Sequence, residues 1–199
     1  GNAVTEYDWD DVWLSEGFAT YFTLLYIEHA CGRDEFVRGL ESSRRTVMKF
    51  AASNPGYTII HKNLSRMEDV TSSHTYQKGS WVLHMLRQIV GDDAFSRALT
   101  AMQRDHRFGQ VGTEQVRAAL ERESGQALAP YFREWVYGTA LPELRVSRRT
   151  TAQGGAFTTA VRIGARNLPG PVPLDITLVH AAGRREERTV SLPPAGGTF

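Results

Sequence analysis

The rhythm of apolar and polar positions changes once along this chain. In residues 12–30, Val12, Trp13, Leu14, Phe18, Tyr21, Phe22, Leu24, Leu25 and Ile27 cover most of a helical circumference, which predicts a buried helix. Asp10 or Asp11 stands where an N-cap belongs, and Gly32 lies just past the far end. A second helix is expected from Asp34 to about Ser53, with Phe36, Val37, Leu40, Val47 and Phe50 inward, broken by Asn54-Pro55-Gly56. Residues 57–71 show no period. A third helix opens between Ser73 and Tyr76 and carries Gly79, Val82, Leu83, Leu86, Ile89 and Val90 at helical spacing as far as Gly91. Three more fit Asp92–Arg107, Thr113–Ser124 and Leu128–Tyr137.

After Gly138 the period falls to two. Leu144 to Val146, Phe157 to Ile163, Leu174 to Leu178 and Arg188 to Leu192 alternate apolar with polar. Gly154-Gly155, Pro169-Gly170-Pro171 and Gly183 supply turns. The expected architecture is therefore mainly α. A helical part over residues 1–141 precedes a small, incomplete antiparallel β module over 142–199, with at least four strands.

Composition narrows the function classes. A net charge of +1 gives no reason to invoke nucleic acid or an anionic membrane surface, and no segment is apolar for long enough to span a bilayer. Charge is uneven, however. Residues 1–35 hold eight acids against Arg33, and residues 142–199 hold eight arginines against four acids. The acidic head suits a cation or metal, although two solvated faces of opposite sign explain it equally simply. Cys31 is the only cysteine, which excludes an intrachain disulfide and a thiolate metal cluster.

Two side chains carry candidate chemistry. Glu16 sits in the first turns of the apolar helix, where a carboxylate is costly to bury unless a cation or several donors meet it. The simpler reading is a residue favoured by the helix dipole. Gly17 beside it permits close approach of another backbone. Tyr76 opens the third helix, and its hydroxyl is a candidate donor to a developing oxyanion; a half-buried packing tyrosine is the simpler alternative. No pair of histidines forms H-E-x-x-H. His84 reads as packing, and His74, beside Tyr76, is a weaker candidate for a pocket wall. No nucleophile elbow or phosphate loop is present.

Three strings then combine. The chain opens Gly1-Asn2-Ala3-Val4-Thr5 and continues with Trp13-Leu14-Ser15-Glu16-Gly17-Phe18-Ala19. Tyr76-Gln77-Lys78-Gly79 follows, and then Trp135-Val136-Tyr137-Gly138-Thr139 with Leu141-Pro142. Together they resemble zinc metallopeptidases of the aminopeptidase N family, gluzincins with a thermolysin-like catalytic domain. Ser15 stands where that family commonly has asparagine.

The resemblance implies a fragment that begins just after the family's H-E-x-x-H motif. Glu16 would be the third zinc ligand and Tyr76 the catalytic residue that assists the tetrahedral intermediate. The implied reaction removes N-terminal residues from peptides with one zinc ion. The isolated chain is expected to be inactive and to bind zinc weakly, because two ligands and the general base would lie upstream. A non-catalytic relative serving as a protein-binding or scaffold module is the alternative.

Overall fold

The computed structural model describes residues 3–62, 64, 66–70, 73–139, 141–168, 170–180 and 183–199. The chain divides into two compact units, Gly1–Thr139 and Ala140–Phe199.

The first unit is helical. Helices α1 (Trp13–Cys31) and α2 (Arg33–Ser53) are followed by a one-turn π segment, Ser73–Lys78, which runs into α3 (Gly79–Val90). Then come α4 (Asp92–Asp105), α5 (Thr113–Ser124) and α6 (Ala129–Trp135). Its core draws on every helix: Trp13, Tyr21, Phe36, Val82, Leu83, Leu86, Ala98, Leu120 and Phe132 are all but fully buried. On α2 the inward stripe is Phe36, Leu40, Ser43 and Val47, at the i, i+4, i+7, i+11 spacing of one helical face. Val37, expected inside, is 39% exposed because it lies about 100° off that stripe. Helix α1 is not enclosed all round either. Phe22 and Tyr26 are 46% and 69% exposed.

Two short strands escaped the periodic reading. β1 (Val4–Glu6) and β2 (Gly109–Val111) pair in parallel, Val4 opposite Gly109 and Glu6 opposite Val111. Three residues are too few to show a period, and the pairing spans most of the unit's sequence. This pair also redefines how α1 begins. Neither Asp10 nor Asp11 caps it: Val12 holds the N-cap position without a side-chain bond. Asp8 instead accepts the Asp10 N–H at 2.9 Å, and Asp10 accepts the Leu64 N–H at 2.8 Å. The Asp11 carboxylate accepts both the N–H and the hydroxyl of Thr113, at 3.3 and 2.6 Å, at the start of α5. The Thr113 oxygen in turn accepts the Trp13 indole N–H at 2.8 Å.

The second unit is antiparallel β. β3 (Glu143–Gln153) and β4 (Ala156–Arg166) form a long hairpin, extended by β7 (Gly197–Thr198) on the β4 side. Gly154 and Gly155 turn it with φ of 60° and 82°, values that a two-residue hairpin demands and glycine accepts without strain. β5 (Val172–Val179) pairs with β6 (Arg185–Leu192). The two sheets share a small core of Val161, Ile163 and Leu192, flanked by Leu174, Ile176 and Leu178. The four strands expected from alternation are thus present, and β7 is a fifth.

The Trp13–Thr113–Asp11 chain supplies a stability test. Thr113→Val removes the hydroxyl and leaves a buried indole donor and a half-buried carboxylate short of partners. The expected loss is about 1–3 kcal/mol of unfolding free energy, measured by urea denaturation, with the helical content unchanged.

Candidate active site

The site is built where α1 crosses the start of α3. Gly17 and Gly79 face each other there. A Cβ added to Gly17 would lie 3.2 Å from the Gly79 backbone, and one added to Gly79 would lie 3.1 Å from the Gly17 Cα. No side chain separates the two helices at this point. The approach also sets the Gly17 position 3.5 Å from the Thr75 carbonyl oxygen, so the π segment lies directly on α1. Single π turns inside helices recur at functional sites because they re-aim one residue. Here that residue is Tyr76.

Glu16 and Tyr76 are thereby brought together. The Tyr76 side chain lies close enough to the Glu16 carboxylate to feel its charge. Burial, and after it the neighbouring Glu16 carboxylate, push the tyrosine phenol above its ordinary value. Both side chains are half-buried. The surroundings of Glu16 hold it in place. Its N–H donates to the Val12 carbonyl at 3.1 Å and its carbonyl accepts the Thr20 hydroxyl at 2.7 Å. Ser15 donates its hydroxyl to the Glu6 carboxylate, fastening β1 to the first turn of α1.

The π segment is otherwise buried. His74 is 2% exposed, with its ring edge-on to Phe50 at 4.9 Å. It packs within the unit, away from the residues that line the apolar cavity between β1, α1, α4 and α5. Burial first, and then the nearby Lys78 and His61, lower its pKa to about 4. Among the described residues its Nδ1 and the Thr75 hydroxyl have no hydrogen-bond partner. Lys78 is 3% exposed and donates to the Gly138 carbonyl at 3.5 Å. Burial lowers its pKa to about 8. Lys78 was not singled out from sequence. The available signal was its place four residues before Val82, on the inward stripe of α3.

His84 lies elsewhere and is structural. Its ring packs among Tyr21, Phe36 and Trp81, and its Nδ1 shares a 3.2 Å hydrogen bond with the Tyr21 hydroxyl. A largely apolar cavity of about 340 Å³ lies between β1, α1, α4 and α5, with Val4, Leu14, Phe18, Leu99 and Val116 in its wall. Neither Glu16 nor Tyr76 lines it, so the chemistry and the cavity do not coincide. Among the described residues no three His, Cys, Asp or Glu side chains come together as a metal site. Glu16 alone does not complete a zinc site, which takes three protein ligands. No helix of the described residues is long and apolar enough to cross a membrane.

The family model described as the peptidase family M1 domain matches residues 1–135. The aminopeptidase N of Streptomyces lividans is 29% identical over 187 residues, which are 89% of this chain and 21% of that protein. Aminopeptidase M1-C of Oryza sativa subsp. japonica is 28% identical over 149 residues, 73% of this chain and 17% of its own length. The chain thus spans about a fifth of these relatives. Aminopeptidase A of Legionella pneumophila, solved in complex with aspartic acid, matches the fold over 100% of this chain and 22% of its own, with a TM-score of 0.76 at 18% identity. The M1 zinc metallopeptidase of Deinococcus radiodurans matches over 68% of this chain and 29% of its own, with a TM-score of 0.54 at 29% identity.

Two outcomes test the local physics. Gly17→Val forces the helices apart, because backbone occupies the space. A loss of about 1–3 kcal/mol is expected by urea denaturation. The second outcome concerns pH. His74 titrates near 4 when folded and near 6.5 when unfolded, so the unfolded chain binds more protons between those values. Stability therefore falls as pH drops from 6.5 to 4. Lys78 titrates near 8 folded and 10.5 unfolded, so stability rises from pH 8 toward 10.5. Urea titrations at pH 7 and pH 4.5 should show His74→Gln flattening the acid limb by on the order of 2 kcal/mol.

Proposed function

This chain belongs to peptidase family M1, and from that premise we propose that it forms part of a zinc aminopeptidase that hydrolyses N-terminal residues from peptides. The supporting observation is the placement of Tyr76 beside the Glu16 carboxylate at the Gly17–Gly79 crossing. Residues 1–141 are assigned to the catalytic domain and 142–199 to the β module that follows.

Glu16 is assigned as one zinc ligand of the whole protein. A metal held there supplies Lewis acidity toward the scissile carbonyl. The donors among the described residues do not complete the site, so the isolated chain is expected to be inert. What the chain contributes is placement. Glu16 stands on a long helix whose first turn is fixed by Ser15 and Glu6, a stiff mount for a ligand. Tyr76, beside the same carboxylate, keeps its proton at neutral pH as an ordinary phenol does, its raised pKa only reinforcing this, and so remains a donor. The developing negative oxygen of a tetrahedral intermediate is the acceptor that such a donor stabilises.

In the full-length protein Glu16→Ala should lower zinc content and turnover together. Tyr76→Phe should leave zinc in place and reduce turnover by about 100- to 1,000-fold, roughly 3–4 kcal/mol, with substrate binding less affected. Metal analysis and steady-state kinetics on an aminoacyl substrate decide both. Full zinc in the Glu16 variant removes the ligand assignment. Unchanged turnover in Tyr76→Phe removes the tyrosine from the mechanism, and a full-length protein without turnover favours the alternative, a non-catalytic relative serving as a protein-binding or scaffold module.

A further inference from the structure

Lys78 is two residues from Tyr76 and directly precedes Gly79, yet nothing in the chemistry above employs it. Its ammonium is almost wholly enclosed. No carboxylate pairs with it among the described residues, and burial is the one influence on its titration. An enclosed cation with a single carbonyl acceptor is a poor stabiliser, and an apolar chain of the same length would be cheaper to bury. Among the described residues its ammonium has one hydrogen-bond acceptor, the carbonyl of Gly138 at 3.5 Å.

That carbonyl lies just beyond the C-terminal end of α6. The N–H groups of Val136 and Tyr137 both converge on the Phe132 carbonyl, each at 3.0 Å, so the last turn widens to a π-type bond and the later carbonyls are left for other donors. A cation at this end also meets the negative pole of the helix. Gly138 itself is tightly folded back. A Cβ there would strike the Glu134 carbonyl oxygen at 2.2 Å, so glycine is required to present its own carbonyl in this position. The contact therefore joins the last residue of the π segment to the end of α6, while Gly17 presses the next residue, Gly79, against α1.

We propose that Lys78 is a positioning residue for catalysis: its ammonium, anchored on the Gly138 carbonyl, holds the π turn that aims the Tyr76 hydroxyl at Glu16. The proposal rests on the catalytic assignment of Tyr76. It acts through Tyr76, since among the described residues the acceptor of Lys78 is the Gly138 carbonyl and not Glu16.

The test is a double-mutant cycle in the full-length zinc-loaded protein, using Lys78→Met, Tyr76→Phe and the pair. Lys78→Met should lower kcat by about 10- to 100-fold, with KM changed less than twofold and zinc content intact. In the Tyr76→Phe background the same substitution should cost nothing further, because the group it positions is gone. Loss of equal size in both backgrounds overturns the proposal, as does a Lys78→Met protein with unchanged kcat. Should Lys78→Met fail to fold, Lys78→Leu, a shorter apolar chain that likewise lacks the ammonium, enters the cycle with the same two outcomes. A slow Tyr76→Phe protein beside a normal Lys78→Met protein defeats the Lys78 assignment only. A normal Tyr76→Phe protein defeats the reading of the site, and this proposal with it.

Discussion

Two glycines in backbone contact govern the geometry of the first unit. Gly17 on α1 and Gly79 at the head of α3 touch without a side chain between them, and each sits where a Cβ would meet the other's backbone. Helices that pack through ordinary side chains keep their axes roughly 8–10 Å apart. At a glycine pair the approach is closer, and residues beside the glycines inherit it. Glu16 precedes one glycine and the Tyr76 turn precedes the other. Around the crossing, Trp13, Tyr21, Val82, Leu83 and Leu86 are packed to exclusion of solvent, so the two helices have little room to slide.

The polar groups near this crossing run against the usual economy of a core. His74 and Thr75 carry buried polar atoms without hydrogen-bond partners among the described residues, and Lys78 has one long acceptor. Each lowers stability relative to an apolar replacement. All three belong to the single π turn that presents Tyr76. Strain and unsatisfied groups concentrate where a structure serves something other than its own stability. The Asp11–Thr113–Trp13 chain, by contrast, is satisfied at each member and joins α1 to α5.

Membership of peptidase family M1 is shown over residues 1–135, while the chain spans about a fifth of the relatives it matches. Within the first unit one carboxylate, Glu16, and one phenol, Tyr76, stand on crossing elements. The exposed Phe22 and Tyr26 on α1 show that this helix is more apolar than its neighbours in this chain require.

Local pattern was sufficient for the helices and strands themselves. The 3.6-residue period of α2 to α5 and the two-residue alternation of β3 to β6 are written in consecutive residues, since each element buries one face against its own unit. Glu16 and Tyr76 were legible for a related reason: both interrupt an apolar helix with a group that needs an explanation. Gly17 was legible as a point of close approach, but not the partner. Which backbone meets it, that Asp11 serves α5 and not α1, that β1 finds β2, and that Lys78 is enclosed were decided only by the tertiary structure. All are pairings between residues far apart in sequence, and a local period reports which face of an element turns inward but not what it meets there.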